Sequence, residues 1–227
     1  AFAVNAEGPE NLGKASHRSG ALLVTISTDY VFDGKKEGFY TQRDQTNPES
    51  VYAASKLDGE RRAQLANART MVVRTGFVFG PGGKNFLSTV VDRARRGNEL
   101  AAISDAYGTP TYSLHLASRM SELARLDLPG IYHVVNSGPG VSYEEFARAA
   151  LETGGFQTTG LKIVSTDSLN RPAPRPRNCR LRCLLSEALR LKAMPSWEEG
   201  LQEFVAGHFT PAVNSEKSDP HPQIAGR

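Results

Sequence analysis

Residues 21–34, ALLVTISTDYVFDG, decide the fold. Ala21–Ile26 is an apolar run of strand length that ends in a cluster of hydroxyl and carboxyl side chains, Ser27, Thr28 and Asp29. Short apolar strands bounded by turn residues belong to sheets buried on both faces. The pattern recurs at Thr70–Arg74, Leu100–Ile103, Gly130–Val135 and Leu161–Val164. Stretches with helical spacing lie around and between these runs: Ala1–Arg18, Pro48–Asn67, Asn85–Arg96, Leu114–Ala124 and Ser142–Glu152. Two more follow, around Leu184–Leu191 and Ser196–Gly207. Strand and helix in alternation predict an α/β fold, a mostly parallel sheet covered by helices. In the second helix Asn47 is expected to cap, Pro48 to take the first position, and Glu49 to sit at the positive end.

Composition narrows the function. At 227 residues the chain is long enough for one large domain or two small ones. Lys plus Arg exceed Asp plus Glu by 27 − 24 = +3, so no strong field calls for nucleic acid or an anionic membrane. Runs such as Ala21–Val24 fall far short of the roughly 20 residues of a membrane span. Two cysteines, Cys179 and Cys183, exclude a disulfide scaffold and fit a reducing cytoplasm. The histidines His17, His115, His133, His208 and His221 have no ligand spacing, so no metal site is expected. The basic run Arg171–Arg182, RPAPRPRNCRLR, lacks the interleaved aromatics of a nucleic-acid binder. The polar segment Thr210–Arg227 reads as a disordered tail.

Two local patterns carry chemistry. In a parallel sheet, ligands bind beyond the carboxyl ends of the strands. Thr28 stands at such an end, where its hydroxyl can donate to a substrate oxygen; a turn capped by its own side chains is the other reading. Tyr52 and Lys56 form Y-x-x-x-K, and residues four apart share one helix face. An ammonium near a phenol favours the phenolate, which suits a general acid toward a carbonyl. A solvated helix face is the bland alternative. The order of a hydroxyl-bearing strand end, a loop, then Y-x-x-x-K is the order used by short-chain dehydrogenases.

The resemblance becomes specific over longer motifs. STDYVFDG (27–34), VYAASKLDGE (51–60), RTGFVFGPGGKNF (74–86), DAYGTPTY (105–112), GIYHVVNSGPGVSYEEFA (130–147), RPRNC (175–179) and MPSWEEGLQEF (194–204) occur in this order. Together they resemble the sugar-nucleotide reductase group of the extended short-chain dehydrogenase/reductase family, the dTDP-4-dehydrorhamnose reductases. In RPRNC, Cys179 stands where that group usually has Ser. The resemblance implies a Rossmann-like doubly wound sheet over residues 1–209, with a small substrate lobe drawn from segments near 77–115 and 136–209. It implies a cytoplasmic enzyme that reduces the 4-keto group of a dTDP-linked 6-deoxy sugar with NADPH or NADH, giving dTDP-L-rhamnose. Its partners would be a dTDP-sugar substrate and, as a homodimer, a second copy; neither nucleic acid nor a membrane is implied. Carried over residue by residue, Thr28 would bind the keto oxygen and Tyr52 would donate the proton. Lys56 would assist Tyr52 and hold the nicotinamide ribose. Asn5 would support the proton relay beside the cofactor, helix packing being its other reading. Asp29, Tyr30, Phe77 and Arg175 would line the substrate. Phe77 falls where the group commonly has Trp, and Arg175 is read equally well as part of a Pro-stiffened surface loop. Asp105, Gly108 and Pro110 would shape a loop.

One departure is large. The group begins with a strand and G-x-x-G-x-x-G, the cradle of the cofactor pyrophosphate. No such turn occurs in these 227 residues. By the group's order, roughly two βα units of about thirty residues each would precede Ala1. The expectation is an N-terminally truncated fold with little reductase activity alone, poor solubility and exposed apolar edges. A non-catalytic regulator, like the regulatory β subunit of methionine adenosyltransferase, is the rival from another class. Thr28, Tyr52 and Lys56 together argue against it, because a scaffold has no need of all three.

Overall fold

A computed structural model describes residues 1–83, 85–169 and 171–208. The tail expected over 210–227 lies outside the described residues.

The chain opens with a π-helical turn, Ala3–Glu7, that runs into helix α1, Gly8–Ser19. Pro9 explains the wide turn. It has no N–H to give the Asn5 carbonyl, so the usual ladder is broken there. Strand β1 follows at Leu23–Thr28, two residues later than the apolar run suggests, so that Thr28 is its last residue. Helix α2 spans Val51–Ala66. The expected start at Asn47 and Pro48 is corrected: Ser50 caps the helix, its Oγ accepting from the Ala53 N–H at 3.2 Å. Asn47 is instead tied to the turn after β1, its N–H donating to the Val31 carbonyl at 2.9 Å and its Nδ2 to Asp33 Oδ2 at 3.2 Å. Glu49 instead pairs with Lys35 at 2.8 Å.

Strand β2, Thr70–Thr75, is buried along its whole length. It pairs in parallel with β1 on one side, Thr28 opposite Thr75. On the other side it meets a strand at Gly130–His133. Full burial is what an apolar central strand with parallel neighbours demands. Between these sheet strands lie β3 (Val78–Phe79), α3 (Phe86–Arg95), β4 (Leu100–Ile103), β5 (Tyr107–Gly108), β6 (Thr111–Tyr112) and α4 (Ser113–Leu126). The Gly130–His133 strand is β7, giving a three-stranded sheet in the order β1-β2-β7. After it come β8 (Val141–Ser142), α5 (Tyr143–Thr153), β9 (Leu161–Val164), α6 (Leu184–Ala188) and α7 (Trp197–His208).

Small two-stranded sheets build the second part of the molecule: β3 with β6 and β4 with β9 in parallel, β5 with β8 antiparallel. Its core is aromatic, with Phe79, Tyr112, Phe146, Trp197 and Phe204 packed together. Met71, Val73 and Tyr132 of the main sheet pack against Leu116 and Leu123 of α4. Each such side chain contributes roughly 1.5–3 kcal/mol by leaving water.

Candidate active site

The site is built where β1 ends. Thr28 Oγ1 donates to Asp29 Oδ1 at 3.0 Å and accepts from the Tyr30 N–H at 3.2 Å, so strand end and turn are tied together. Asp29 is 4% exposed. Its carboxyl lies against the backbone of Gly76; a Cβ there would come within 1.9 Å of Oδ2, so only glycine fits. Burial pushes the Asp29 carboxyl up to about 7, against the hydrogen bonds from Thr28 and from the buried Cys179 thiol. The Cys179 thiol is itself pushed up by burial and by Asp29.

Tyr52 sits in the first turn of α2, 48% exposed, its ring edge-on to Tyr30 with centroids 6.4 Å apart. One turn further along the same helix, Lys56 Nζ donates to the Ile26 carbonyl of β1 at 2.5 Å. Its ammonium is engaged by the strand rather than by the Tyr52 phenol, and burial lowers its pKa. Asn5 Nδ2 donates to Ser55 Oγ at 3.0 Å, and Ser55 in turn donates to the Tyr52 carbonyl at 2.8 Å. Asn5 thus acts on the backbone that carries Tyr52.

A buried ion pair that the sequence motifs did not announce sets the register of α2. Arg74 of β2 meets Glu60 of α2 at 2.7 Å, both almost wholly buried, and Ser27 of β1 also donates to Glu60. Both charges are hydrogen-bonded, which a buried pair requires. The contact pins α2 across β1 and β2 and so presents Tyr52 and Lys56 at the strand end. Arg74, the one charged residue of an otherwise uncharged and wholly buried strand, was the available signal.

Beyond the turn lies a cavity of about 640 Å³, lined by Phe77, Phe86 and Tyr143 and by Arg93, Arg171 and Arg175. Phe77 adopts φ +50°, a left-handed conformation rare outside glycine. It packs tilted against Tyr143, 4.2 Å between centroids, and lies 5.9 Å from Phe86. Arg175 faces Tyr143 closely enough to act on its hydroxyl electrostatically. The cavity lining therefore combines aromatic rings with guanidinium groups. Aromatic faces accept a planar base and guanidinium forks accept phosphate.

The structure brings Thr28, Asp29, Tyr30, Tyr52 and Lys56 to one end of β1 and places Phe77 and Arg175 in the adjoining cavity. Tyr143 lines the cavity and is near enough to Tyr30 to act on it electrostatically. It lies inside the quoted GIYHVVNSGPGVSYEEFA motif but was not singled out; an aromatic at the first helical position after a glycine-rich turn was the usable signal. Asp105 accepts from the Thr166 N–H and hydroxyl, both at 2.7 Å, and holds a loop. Among the described residues, no three of His, Cys, Asp or Glu converge on a common point. No helix among them is long and apolar enough to cross a membrane.

Comparison with known proteins bears on this arrangement. A family described as the RmlD substrate binding domain matches residues 1–209. The chain is 37% identical to the spore coat polysaccharide biosynthesis protein SpsK of Bacillus subtilis, over 90% of this chain and 71% of SpsK. It is 35% identical to a dTDP-4-dehydrorhamnose reductase of Sinorhizobium fredii, over 90% of this chain and 72% of that one. The crystal structure of the Bacillus anthracis dTDP-4-dehydrorhamnose reductase in complex with NADP superposes with a TM-score of 0.88 at 33% identity, over 91% of this chain and 73% of that one. The regulatory-subunit alternative finds no support in these relatives.

Proposed function

The chain belongs to the RmlD substrate binding domain family, and from that premise we propose that it serves the NAD(P)H-dependent reduction of dTDP-4-dehydro-6-deoxy-L-mannose to dTDP-L-rhamnose. One observation carries the proposal: an aromatic, arginine-walled cavity adjoins a hydroxyl-bearing strand end that faces a half-exposed tyrosine on the next helix. The nucleotide diphosphate occupies the cavity, between Phe77 and Arg175. The sugar ketone lies at the end of β1, beside Thr28, Asp29 and Tyr30.

Tyr52 gives its phenolic proton to the ketone oxygen as it becomes an alcohol. Lys56, tied to the Ile26 carbonyl, is held at the cofactor side of Tyr52, where its ammonium suits a ribose. Thr28 has one proton to donate. When Asp29 is ionised, that proton is committed to Asp29 Oδ1. When Asp29 is protonated, its own hydroxyl can serve the pair, and the Thr28 proton is free for the ketone. Asn5 acts through Ser55 on the Tyr52 backbone and keeps the acid in place.

Lys56 and Tyr52 fit the nicotinamide end of NAD(P)H, which when bound supplies the hydride. No glycine-rich turn in the 227 residues fits its pyrophosphate, so these residues are expected to bind the cofactor weakly and to turn over slowly by themselves. Residues 1–209 as the reductase domain, the substrate lobe near 77–115 and 136–209, a cytoplasmic setting and a homodimer belong to the same proposal.

Calorimetry with dTDP-L-rhamnose and fluorescence titration with NADPH test it together. The expected result is measurable nucleotide-sugar binding, weakened at least about tenfold by Arg175→Ala through loss of a charge-assisted contact, with weak NADPH binding. Absence of nucleotide-sugar binding would remove the proposal, and tight NADPH binding would remove the account of the missing cradle. Where turnover is measurable, Tyr52→Phe lowers it by about 10²-fold or more.

A further inference from the structure

The chain that follows Arg175 is held at each residue from Pro176 to Arg180. Pro176 lies against Gly34 of the loop after β1, where an added Cβ would come within 2.5 Å of the proline Cβ. The Arg177 carbonyl accepts from the Tyr107 N–H at 2.7 Å, and its guanidinium pairs with Asp167 at 2.6 Å. The Cys179 N–H donates to the Tyr107 carbonyl at 2.8 Å. Arg180 lies over the rings of Phe39 and Tyr107, 5.8 and 5.5 Å from their centroids. Asn178 is at the centre of these contacts and only 6% exposed. Its Nδ2 donates to the Lys36 and Gly38 carbonyls at 2.5 and 2.6 Å. Its Oδ1 accepts from the Arg180 N–H and Nε at 3.2 and 2.9 Å. Both donors and the acceptor of the side-chain amide are thereby used.

Arg175 stands just outside this held stretch, exposed and lining the cavity. We propose that Asn178 is a positioning residue for Arg175: by tying the chain after Arg175 to the loop after β1, it fixes the root from which the guanidinium reaches the diphosphate. The inference rests on the reductase reading of the cavity. A long side chain on a mobile root has more freedom to lose on binding than one on a fixed root. A guanidinium fork must also meet phosphate in register to make both of its hydrogen bonds. Pro174 and Pro176, on either side of Arg175, narrow the backbone further. Stiffness of this segment and contact with the nucleotide are therefore two parts of one device. The duty needs an amide: a carboxylate at 178 has no donor for Lys36 and Gly38, and a serine hydroxyl has one.

Calorimetry with dTDP on the parent, Asn178→Ala, Arg175→Ala and the double variant makes a mutant cycle that reads the coupling between the two residues. Arg175→Ala is expected to weaken dTDP about tenfold and Asn178→Ala about fivefold. The double variant stays near the tenfold loss of Arg175→Ala, because a fixed root has nothing to hold once the guanidinium is gone. Circular dichroism and thermal melting establish that each variant is folded. If Asn178→Ala is not, Asn178→Ser takes its place in the cycle, with a loss of about threefold that again vanishes when Arg175 is absent. Losses that multiply to about fiftyfold, as independent sites would give, overturn the assignment while the reductase reading stands. So does an Asn178 variant that binds dTDP as the parent does. A parent chain that does not bind dTDP removes both the reading and the inference.

Discussion

Asp29 keeps a carboxyl in a place where ionisation is costly. Its folded-state pKa is pushed up to about 7 by burial, against an unfolded value near 3.9. Between these values the folded chain holds a proton that the unfolded chain has released. Stability therefore falls as pH rises from about 4 to about 7 and levels off above, a total of roughly 4 kcal/mol if all other groups are silent. Asp29→Asn removes that slope and keeps an acceptor for Thr28. Urea melts at pH 5 and pH 8 are expected to show the variant gaining on the parent by a few kcal/mol at the higher pH. A difference that does not change with pH would mean that Asp29 does not titrate in this range. His133 works in the opposite sense: burial, helped by Arg74, lowers it to about 4. Its neutral folded form therefore costs stability as pH drops below about 6.5, where the unfolded histidine takes up a proton. The two windows overlap, so between about pH 4 and 6.5 the His133 slope opposes the Asp29 slope and largely offsets it in the parent chain.

At the scale of elements, two helices carry Tyr52 and its support, and they meet without room to spare. A Cβ on Gly59 of α2 would come within 1.9 Å of the Asn5 carbonyl oxygen. Pro9 freed that carbonyl from the helix ladder, so one residue's missing N–H shapes the contact made by another element. Gly59→Ala should push the π-helical turn off α2 and break the Asn5–Ser55 bond, at a cost of about 1–3 kcal/mol, the range for overpacking a tight core contact. A thermal melt reads the loss, and an unchanged melting temperature would show that the turn gives way freely. The sequence made the elements themselves legible. Alternating apolar runs and helical spacings place the sheet strands within about two residues, because burial sets the pattern directly. Helix α2 began later than expected because competing caps, Asn47 and Ser50, look alike in sequence, and only the assembled fold shows Asn47 bonded to Val31 and Asp33 of the turn after β1. The Y-x-x-x-K face was readable from spacing. The Arg74–Glu60 pair and the Asp29–Gly76 contact were not, since each joins residues distant in sequence and depends on how the sheet is assembled, and nothing about a phenylalanine announces the left-handed backbone of Phe77.

On the whole molecule, burial is uneven. The β1-β2-β7 sheet has β2 at its centre, while β1 pairs on one side only among the described residues. Ile26 of β1 is 46% exposed, and the helices beside it expose Val4 at 78%, Leu12 at 59% and Leu65 at 88%. An edge strand flanked by exposed aliphatic side chains favours edge-to-edge and face-to-face association. The aromatic core around Phe146 and Trp197 is buried, and although Val78 and Ile163 of the second part are exposed at 40% and 56%, the largest exposures, Leu65 and Val4, lie at the β1 end. Substituting Leu12 and Leu65 together by Glu should therefore raise solubility and lower the mean mass seen in light scattering, with dTDP binding unchanged because neither residue lies near Phe77 or Arg175. Charge on this face opposes association without touching the cavity. A parent chain that is already a stable monomer at high concentration would defeat this account. A double variant that associates as strongly as the parent would move the sticky surface elsewhere, and the bare edge of β1 itself, with its unpaired backbone groups, would be the next surface to block.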